Sequence, residues 1–358
     1  MKLYYSDTCY DFQDATHRLL EYLTDGEYKN INEYDGSDAF LIVSNLCNAD
    51  EYLKLFTKYK NYRLGFILDY TKEGHTNTYH TLDFLSAAKK SEMHIDRFIV
   101  MYNNMTNFGK GISKYEIDGF LLNELSFPFW FYEYCINPPL KIYTKNYVKY
   151  DFTCFCKMMR KHKMDTLSYI EKLGLNVFAT SGRIDKHEPI KTFSTSITTN
   201  VDDIVPYDNV DLPKEMYLSG KVSILTETNY DNTRFIKGNR FTDVCHPTEK
   251  IFRCFGLKQP FTVVGDKFIL KNLKKLGFET FESIIDESYD YADDDIRYKK
   301  AVDSAVELLK HYDSDELNAI LDRNFDKVCD VDYIKSVFNK NFIEILNKIQ
   351  LFNNKNLV

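Results

Sequence analysis

The sequence predicts an α/β protein of two domains joined at a hinge, and three observations carry that expectation. Short apolar runs alternate with amphipathic stretches, the pattern of largely parallel sheets with helical crossovers. Asn137-Pro138-Pro139 interrupts the series, because proline lacks the N–H that a helix interior or central strand needs. A second alternating series then begins at Tyr150. The domains are expected at residues 1–149 and 150–358, with the terminal helices allowed to cross back.

Element by element, Lys2–Tyr5 reads as the first strand. Asp11–Leu23 reads as a helix with Phe12, Ala15, Leu19 and Leu23 along one face. Ala39–Val43 is a second strand, followed by a helix over Ala49–Tyr59. Leu64–Leu68 and Phe98–Met101 continue the strands, with a helix near Thr78–Ala88 between them. Phe120–Cys135 is strongly aromatic and fits no single element. In the second series Tyr150–Cys156 is a buried strand, and Thr166–Leu173 is a helix ended by Gly174. Val222–Leu225 and Pro260–Val264 are strands, Leu270–Leu276 and Ile296–Leu309 helices, and Val331 to Phe352 one or two more helices.

The composition narrows the function classes. The chain has 358 residues, 44% apolar and 28% charged, which suits a globular protein with a sizeable core. No apolar run reaches 18 residues, and "MKLYYSDTCYDF" lacks the apolar centre of a signal peptide. The eight cysteines are scattered without zinc-ribbon spacing, so reduced thiols and a cytoplasmic setting are expected. Net charge is −7, with 16 basic against 20 acidic residues in 1–150 and 30 against 33 in 151–358. Neither half has the basic excess of a protein that grips nucleic acid mainly through phosphates, although a local patch stays open. Neither a Walker motif nor Gly-x-Gly-x-x-Gly is present.

Ligands of such sheets bind beyond the carboxyl ends of the strands, near helix starts. After Tyr150–Cys156 stand Lys157, Arg160, Lys161, His162 and Lys163, which suit a phosphate site or a solvated loop. After Val222–Leu225 come Thr226, Glu227 and Thr228, and then Arg234. "HPTEKIFRCFGLKQPFTVVG" reads as a turn, a short helix and a buried strand, with Thr248 as N-cap. Glu249 complements the helix dipole and could pair with Arg253 four residues on. Lys250 opposes the dipole unless an anion lies nearby. A nucleotide diphosphate would supply that anion, and Glu249 would accept hydrogen bonds from a ribose diol.

"TEKIFRCFGLKQPFTVVG" resembles the nucleotide-sugar motif of the α-1,3-fucosyltransferase-like enzymes. The wider set "VSILTET", "HPTEKIFRCFGLKQPFTVVG" and "LKNLKKLGFETFESIIDESYD" resembles glycosyltransferase-like proteins of bacteriophages and other viruses. The resemblance covers roughly Tyr150 to Leu309. It implies a GT-B transferase with two Rossmann-like domains facing across a cleft, the second holding the nucleotide. By that resemblance Glu249 holds the ribose, Lys250 and Arg160 meet the diphosphate, and Thr226 and Glu227 line the sugar side. Lys163, Arg234 and Thr248 complete the expected donor site. A GT-B enzyme commonly needs no metal, because cations and helix dipoles offset the leaving diphosphate. No obligatory cofactor or metal is therefore expected, with a UDP-linked sugar as the favoured donor.

An inverting reaction needs a base from the first domain, at a strand end. Asp69, after "LGFIL", is the best-placed carboxylate, with Asp7 and Asp11 as rivals and His17, His75 and His80 behind them. Each also suits a cap or turn. The acceptor is expected to be a hydroxyl, on a 5-hydroxymethylpyrimidine in viral DNA or on a glycan. "IIDESYDYADDDIR" is too acidic to meet a diphosphate and is expected to fix a loop or helix start. The rival class is a transferase fold without chemistry, serving as a nucleotide-binding or structural virion protein.

Overall fold

Residues 64–70, Leu-Gly-Phe-Ile-Leu-Asp-Tyr, are buried along their whole length, as the centre of a parallel sheet covered on both faces requires. The computed structural model describes residues 2–6, 15–44, 47–71, 78–117, 120–136, 148–156, 160–181, 217–230, 234–236, 239–241 and 245–349. Asp7, Asp11, His75 and Lys157 lie outside the described residues, as do residues 11–14 of the expected first helix.

The first unit is built on seven strands. These are β1 (Lys2–Tyr5), β2 (Tyr28–Asn30), β3 (Ala39–Ser44), β4 (Leu64–Tyr70), β5 (Phe98–Tyr102), β6 (Ile112–Ile117) and β7 (Phe120–Ser126). Their order is β2-β1-β3-β4-β5-β7-β6, with every pair parallel except the β6–β7 hairpin. Helices α1 (Ala15–Leu23), α2 (Ala49–Lys58) and α3 (Thr78–Lys90) connect them, and α4 (Phe129–Ile136) follows. The aromatic stretch that sequence left unassigned thus splits into β7 and α4. Asn48 and Glu51 form a reciprocal capping box on α2, which starts the helix where the sequence places it. Tyr52, Phe56, Phe66, Phe84 and Phe98 meet in one core cluster, where Phe56 touches Phe66, Phe84 and Phe98 edge to face.

The second unit has a smaller sheet of β8 (Tyr150–Cys156), β9 (Val177–Ser181), β10 (Gly220–Thr226) and β13 (Phe261–Val264), and the hairpin of β11 (Arg234–Ile236) and β12 (Asn239–Phe241) that precedes β13 in the chain belongs to the first unit. The order of the second unit's sheet is β13-β10-β8-β9, all parallel. Its helices are α5 (Lys161–Lys172), α6 (Glu249–Gly256), α7 (Ile269–Lys275), α8 (Asp294–Lys310) and α9 (Asp315–Cys329). Helices α10 (Val331–Phe338) and α11 (Glu344–Lys348) end the described chain. Compact unit one comprises Met1–Glu133, Thr233–His246 and Asp332–Val358, and unit two Tyr134–Asn232 and Pro247–Val331. This division differs from halves at 149 and 150 in residues 134–149 and in the two returning segments.

Helix α5 begins at Lys161, well before the expected Thr166. Its buried face is His162, Lys163, Thr166, Leu167 and Ile170, so polar residues occupy the positions where apolar periodicity is sought. Helix α9 was not foreseen. Ser314 caps it by accepting from the N–H of Leu317, and Asn324 shares its buried face. Among the described residues no helix is long and apolar enough to cross a membrane.

In the first unit Glu124 on β7 is 4% exposed, and burial pushes its carboxyl up to about 8. The folded chain therefore holds a proton that the unfolded chain releases near pH 4.5, and stability falls as pH rises towards 8. Glu124→Gln should leave urea stability at pH 5 nearly unchanged and raise it at pH 9 by roughly 2–4 kcal/mol over the parent.

Candidate functional site

Strand β8 has β9 on one side and β10 on the other, so the crossovers leave it in opposite directions. Beyond the carboxyl ends of strands at such a reversal is the usual ligand position in an open parallel sheet. The residues the sequence singles out in the second half gather at this edge. They are Cys156 and Thr226 at the strand ends, Glu227 just beyond, and the first turns of α5 and α6.

Glu227 exposes none of its surface, and both its oxygens are engaged. Oε1 accepts from the Thr248 N–H at 3.1 Å and from Thr248 Oγ1 at 2.9 Å. Oε2 lies 2.7 Å from the same hydroxyl and accepts from Lys250 Nζ at 3.2 Å. Lys250 Nζ also reaches Thr248 Oγ1 at 2.9 Å and Glu249 Oε1 at 3.2 Å. The anion that the sequence reading demanded for Lys250 is therefore supplied by the protein. Burial opposes the Lys250 charge, but Glu227 and Glu249 beside it hold its pKa above the ordinary lysine value. Burial would raise the Glu249 carboxyl, yet Lys250 and, more distantly, Arg253 hold it below the ordinary glutamate value. Thr248 occupies the N-cap position of α6 but makes no side-chain cap. Its hydroxyl is drawn to Glu227, whose carboxylate takes over the cap of its N–H.

Thr226 is also fully buried, with its hydroxyl donating to the Phe155 carbonyl at 3.0 Å. Thr226 and Glu227 thus underpin the edge of the sheet and line no open surface, which corrects their expected place beside a sugar. Gly265, at the end of β13, makes room for them: a Cβ there would stand 3.1 Å from Glu227 Cβ and Cγ and 2.6 Å from Ile269 Cδ1. The side chain of Glu249 remains 18% exposed and that of Lys250 21%.

Arg160 stands at the N-cap of α5 and is exposed, with Nη1 donating to the Thr228 carbonyl at 2.8 Å. His162 Nε2 is 2.9 Å from the Glu227 carbonyl and so carries the proton there. Burial pushes the His162 imidazole down to about 4, so the ring is neutral at pH 7. Lys163 is 3% exposed, and burial, with Lys250 and Arg160 nearby, lowers its pKa. Cys156, Lys250, Glu227 and Arg160 surround its ammonium, and among the described residues none hydrogen-bonds or pairs with it. Helix spacing alone could not single out Lys163 from the other basic residues before α5, because burial decides which one is stripped of water.

The other candidates are placed as follows. Arg234 opens β11, and its side chain lies outside the described residues. Asp69 ends β4 at 6% exposure, with Oδ1 accepting from the Thr71 N–H at 3.1 Å and Oγ1 at 2.8 Å, a turn-forming role. His17 is buried against Tyr5 and Tyr28, and the side chain of His80 lies outside the described residues. Arg253, one turn beyond Glu249, donates to Tyr134 OH at 2.5 Å and lies 5.0 Å from the Tyr217 ring centre. In the acidic segment Asp290 accepts from the N–H groups of Leu270 and Lys271 and caps α7, while Glu287 accepts from Thr280 and Phe281. Sequence offered no signal for Tyr217 and Tyr230, which lay among 27 tyrosines.

Removing Lys250 leaves Glu227 buried with hydroxyl and amide donors only, which is costly for a carboxylate. Lys250→Ala should lower stability to urea by about 2–3 kcal/mol. In a Glu227→Gln background, where no charge needs neutralising, the same change should cost about 1 kcal/mol or less.

No protein-family model matches the chain, and no curated protein matches it. Among solved structures the chain is similar to a DNA-modifying β-glucosyltransferase determined with and without its substrate uridine diphosphoglucose. The two share 12% identity at a TM-score of 0.50, over 97% of this chain and 100% of that one. A variant of the T4 phage enzyme in complex with UDP-glucose matches at 12% identity and a TM-score of 0.44, over 97% and 98% of the chains. The first likeness establishes the fold: the chain has the α/β architecture of a GT-B glycosyltransferase, with two Rossmann-like units.

Proposed function

We propose that this protein is a glycosyltransferase that moves a sugar from a uridine diphosphate sugar to a hydroxyl acceptor, with a 5-hydroxymethylpyrimidine in DNA as the favoured acceptor and a glycan second. The observation that carries this reading is the charge arrangement at the β8–β10 switch point. Arg160, Lys163 and Lys250 converge there against two carboxylates, Glu227 and Glu249, and the buried Lys163 ammonium has no partner among the described residues. A surplus cation held out of water is costly unless it gives up its proton or an anion completes the site. A diphosphate is such an anion, and the carboxylate of Glu249, partly exposed on the first turn of α6, would accept from a ribose diol.

In a direct displacement the acceptor oxygen bonds to the anomeric carbon, the bond from that carbon to the diphosphate breaks, and its electron pair leaves with UDP. Lys163 and Arg160 would offset the charge that builds on the leaving group. The hydroxyl proton needs a base, for which Asp69 is the candidate. The preference for UDP and for DNA is supported by the substrate and the DNA-modifying activity of the structurally similar enzyme. The net charge of −7 confines any DNA contact to local basic patches.

Thermal shift against UDP, GDP, CMP, ADP and dTDP and their sugar conjugates, with and without EDTA, tests the donor. UDP compounds should stabilise the parent, and Glu249→Ala should weaken that binding by about 1–3 kcal/mol. No shift with any nucleotide points to the non-catalytic transferase-like reading. Transfer to hydroxymethylcytosine DNA should weaken steeply with salt, and salt-insensitive transfer to a small glycan would instead select the glycan. Asp69→Asn should abolish transfer while leaving UDP binding intact, and full activity removes Asp69 as the base.

A further inference from the structure

The loop that follows β10, residues 227–230, is held in an unusual way. Three of its carbonyls are taken by side chains from other elements. The Glu227 carbonyl accepts from His162 and the Thr228 carbonyl from Arg160, while that of Tyr230 accepts from Arg297. Arg297 is 1% exposed and also donates to the Gly265 carbonyl at 2.6 Å and the Ala292 carbonyl at 3.1 Å, which ties the loop to β13 and α8. The Tyr230 ring lies between the two grips. It stacks on His162 at 4.6 Å with planes 3° apart, and the Arg297 guanidinium sits 4.6 Å from its centre. Its hydroxyl donates to the Asp294 carbonyl at 2.5 Å and accepts from the Tyr298 N–H at 3.2 Å.

This clamp takes three of the loop's four carbonyls, and the Glu227 N–H donates to the Val264 carbonyl. The N–H groups of Thr228, Asn229 and Tyr230 find no acceptor among the described residues. Asn229 is 8% exposed, and its amide makes no hydrogen bond to a described residue while its polar atoms keep contact with solvent. Next to the loop stand the exposed guanidinium of Arg160 and the ammonium of Lys163, which has no partner among the described residues. The one carboxylate of the loop, Glu227, is turned away onto Thr248 and Lys250. Donors without a protein acceptor are left to water or to a bound acceptor. A surface of donors without acceptors fits an oxyanion.

We propose that residues 228–230 form a backbone-amide cradle for the diphosphate of the donor, with Asn229 as the side chain that reads it and His162, Tyr230 and Arg297 as positioning residues. This deepens the nucleotide-sugar reading and rests on it. The division of labour is specific: Glu249 recognises the nucleoside, and the 228–230 loop recognises only what lies beyond the first phosphate.

Calorimetric titration with uridine, UMP, UDP and inorganic pyrophosphate separates the two. The parent should bind UDP more tightly than UMP and should bind pyrophosphate. Asn229→Asp places a carboxylate where the amide stood and should weaken UDP and pyrophosphate about tenfold or more while leaving uridine unchanged. Should that variant unfold, Asn229→Ser removes the amide without adding charge. His162→Phe keeps the ring stack but loses the donor to the Glu227 carbonyl, and should give the same pattern, with His162→Gln restoring part of the affinity. If these variants bind UDP as the parent does, the cradle is wrong and the nucleotide reading stands. If the parent binds no uridine compound, the nucleotide reading fails. Pyrophosphate binding lost in Asn229→Asp would then still support the cradle, and absence of that binding would overturn it.

Discussion

A buried carboxylate, Glu227, sets the geometry of the second unit's candidate site. It lies at the end of β10, where the sheet reverses, and it draws the start of α6 onto that end through the Thr248 N–H and hydroxyl and the Lys250 ammonium. An unpaired carboxylate in this position would cost several kcal/mol, so Lys250 is held as firmly as Glu227. Glu249, the next side chain along, is oriented as a consequence. Gly265 is part of the same constraint, because a side chain there would displace Glu227.

The odd pairing of Glu249 and Lys250 in one helical turn thus has a structural cause before it has a functional one. Lys250 serves two carboxylates and is satisfied without any ligand, while Lys163 on α5 has no partner among the described residues. The candidate site divides into a self-neutralised part around Glu227 and Lys250 and a basic part at α5, where Lys163 has no partner among the described residues. Preorganised charge in a water-poor setting is what stabilisation of a leaving group requires, since no solvent has to reorganise when the charge appears. The clamp on residues 227–230 belongs to the same design. It holds an irregular loop through three of its carbonyls, through the Tyr230 hydroxyl and through ring stacking.

Much of the fold was legible in the sequence, and the exceptions share a cause. Strands β1, β3, β4, β5, β8, β10 and β13 stood out because parallel strands buried on both faces are continuous apolar runs. Strands β2, β6 and β9 carry no such run, and the start of α5 was hidden because its buried face contains His162 and Lys163. In the candidate site the residues were legible and their employment was not. Thr248, Glu249 and Lys250 were visible as a helix start, but nothing in their spacing showed that Glu227, 21 residues earlier, would be their counter-ion.

The sequence by itself determined the α/β class, the apolar strands, the absence of a basic excess and the clustering of charged residues after β8 and β10. Those properties depend on neighbours along the chain and on composition. Only the tertiary structure decided which charges lose their water and which find a partner, since burial and pairing depend on contacts between β8, β10, α5, α6 and α8. It therefore left Lys163 without a partner among the described residues, matched Lys250, and engaged three of the four carbonyls of the 227–230 loop.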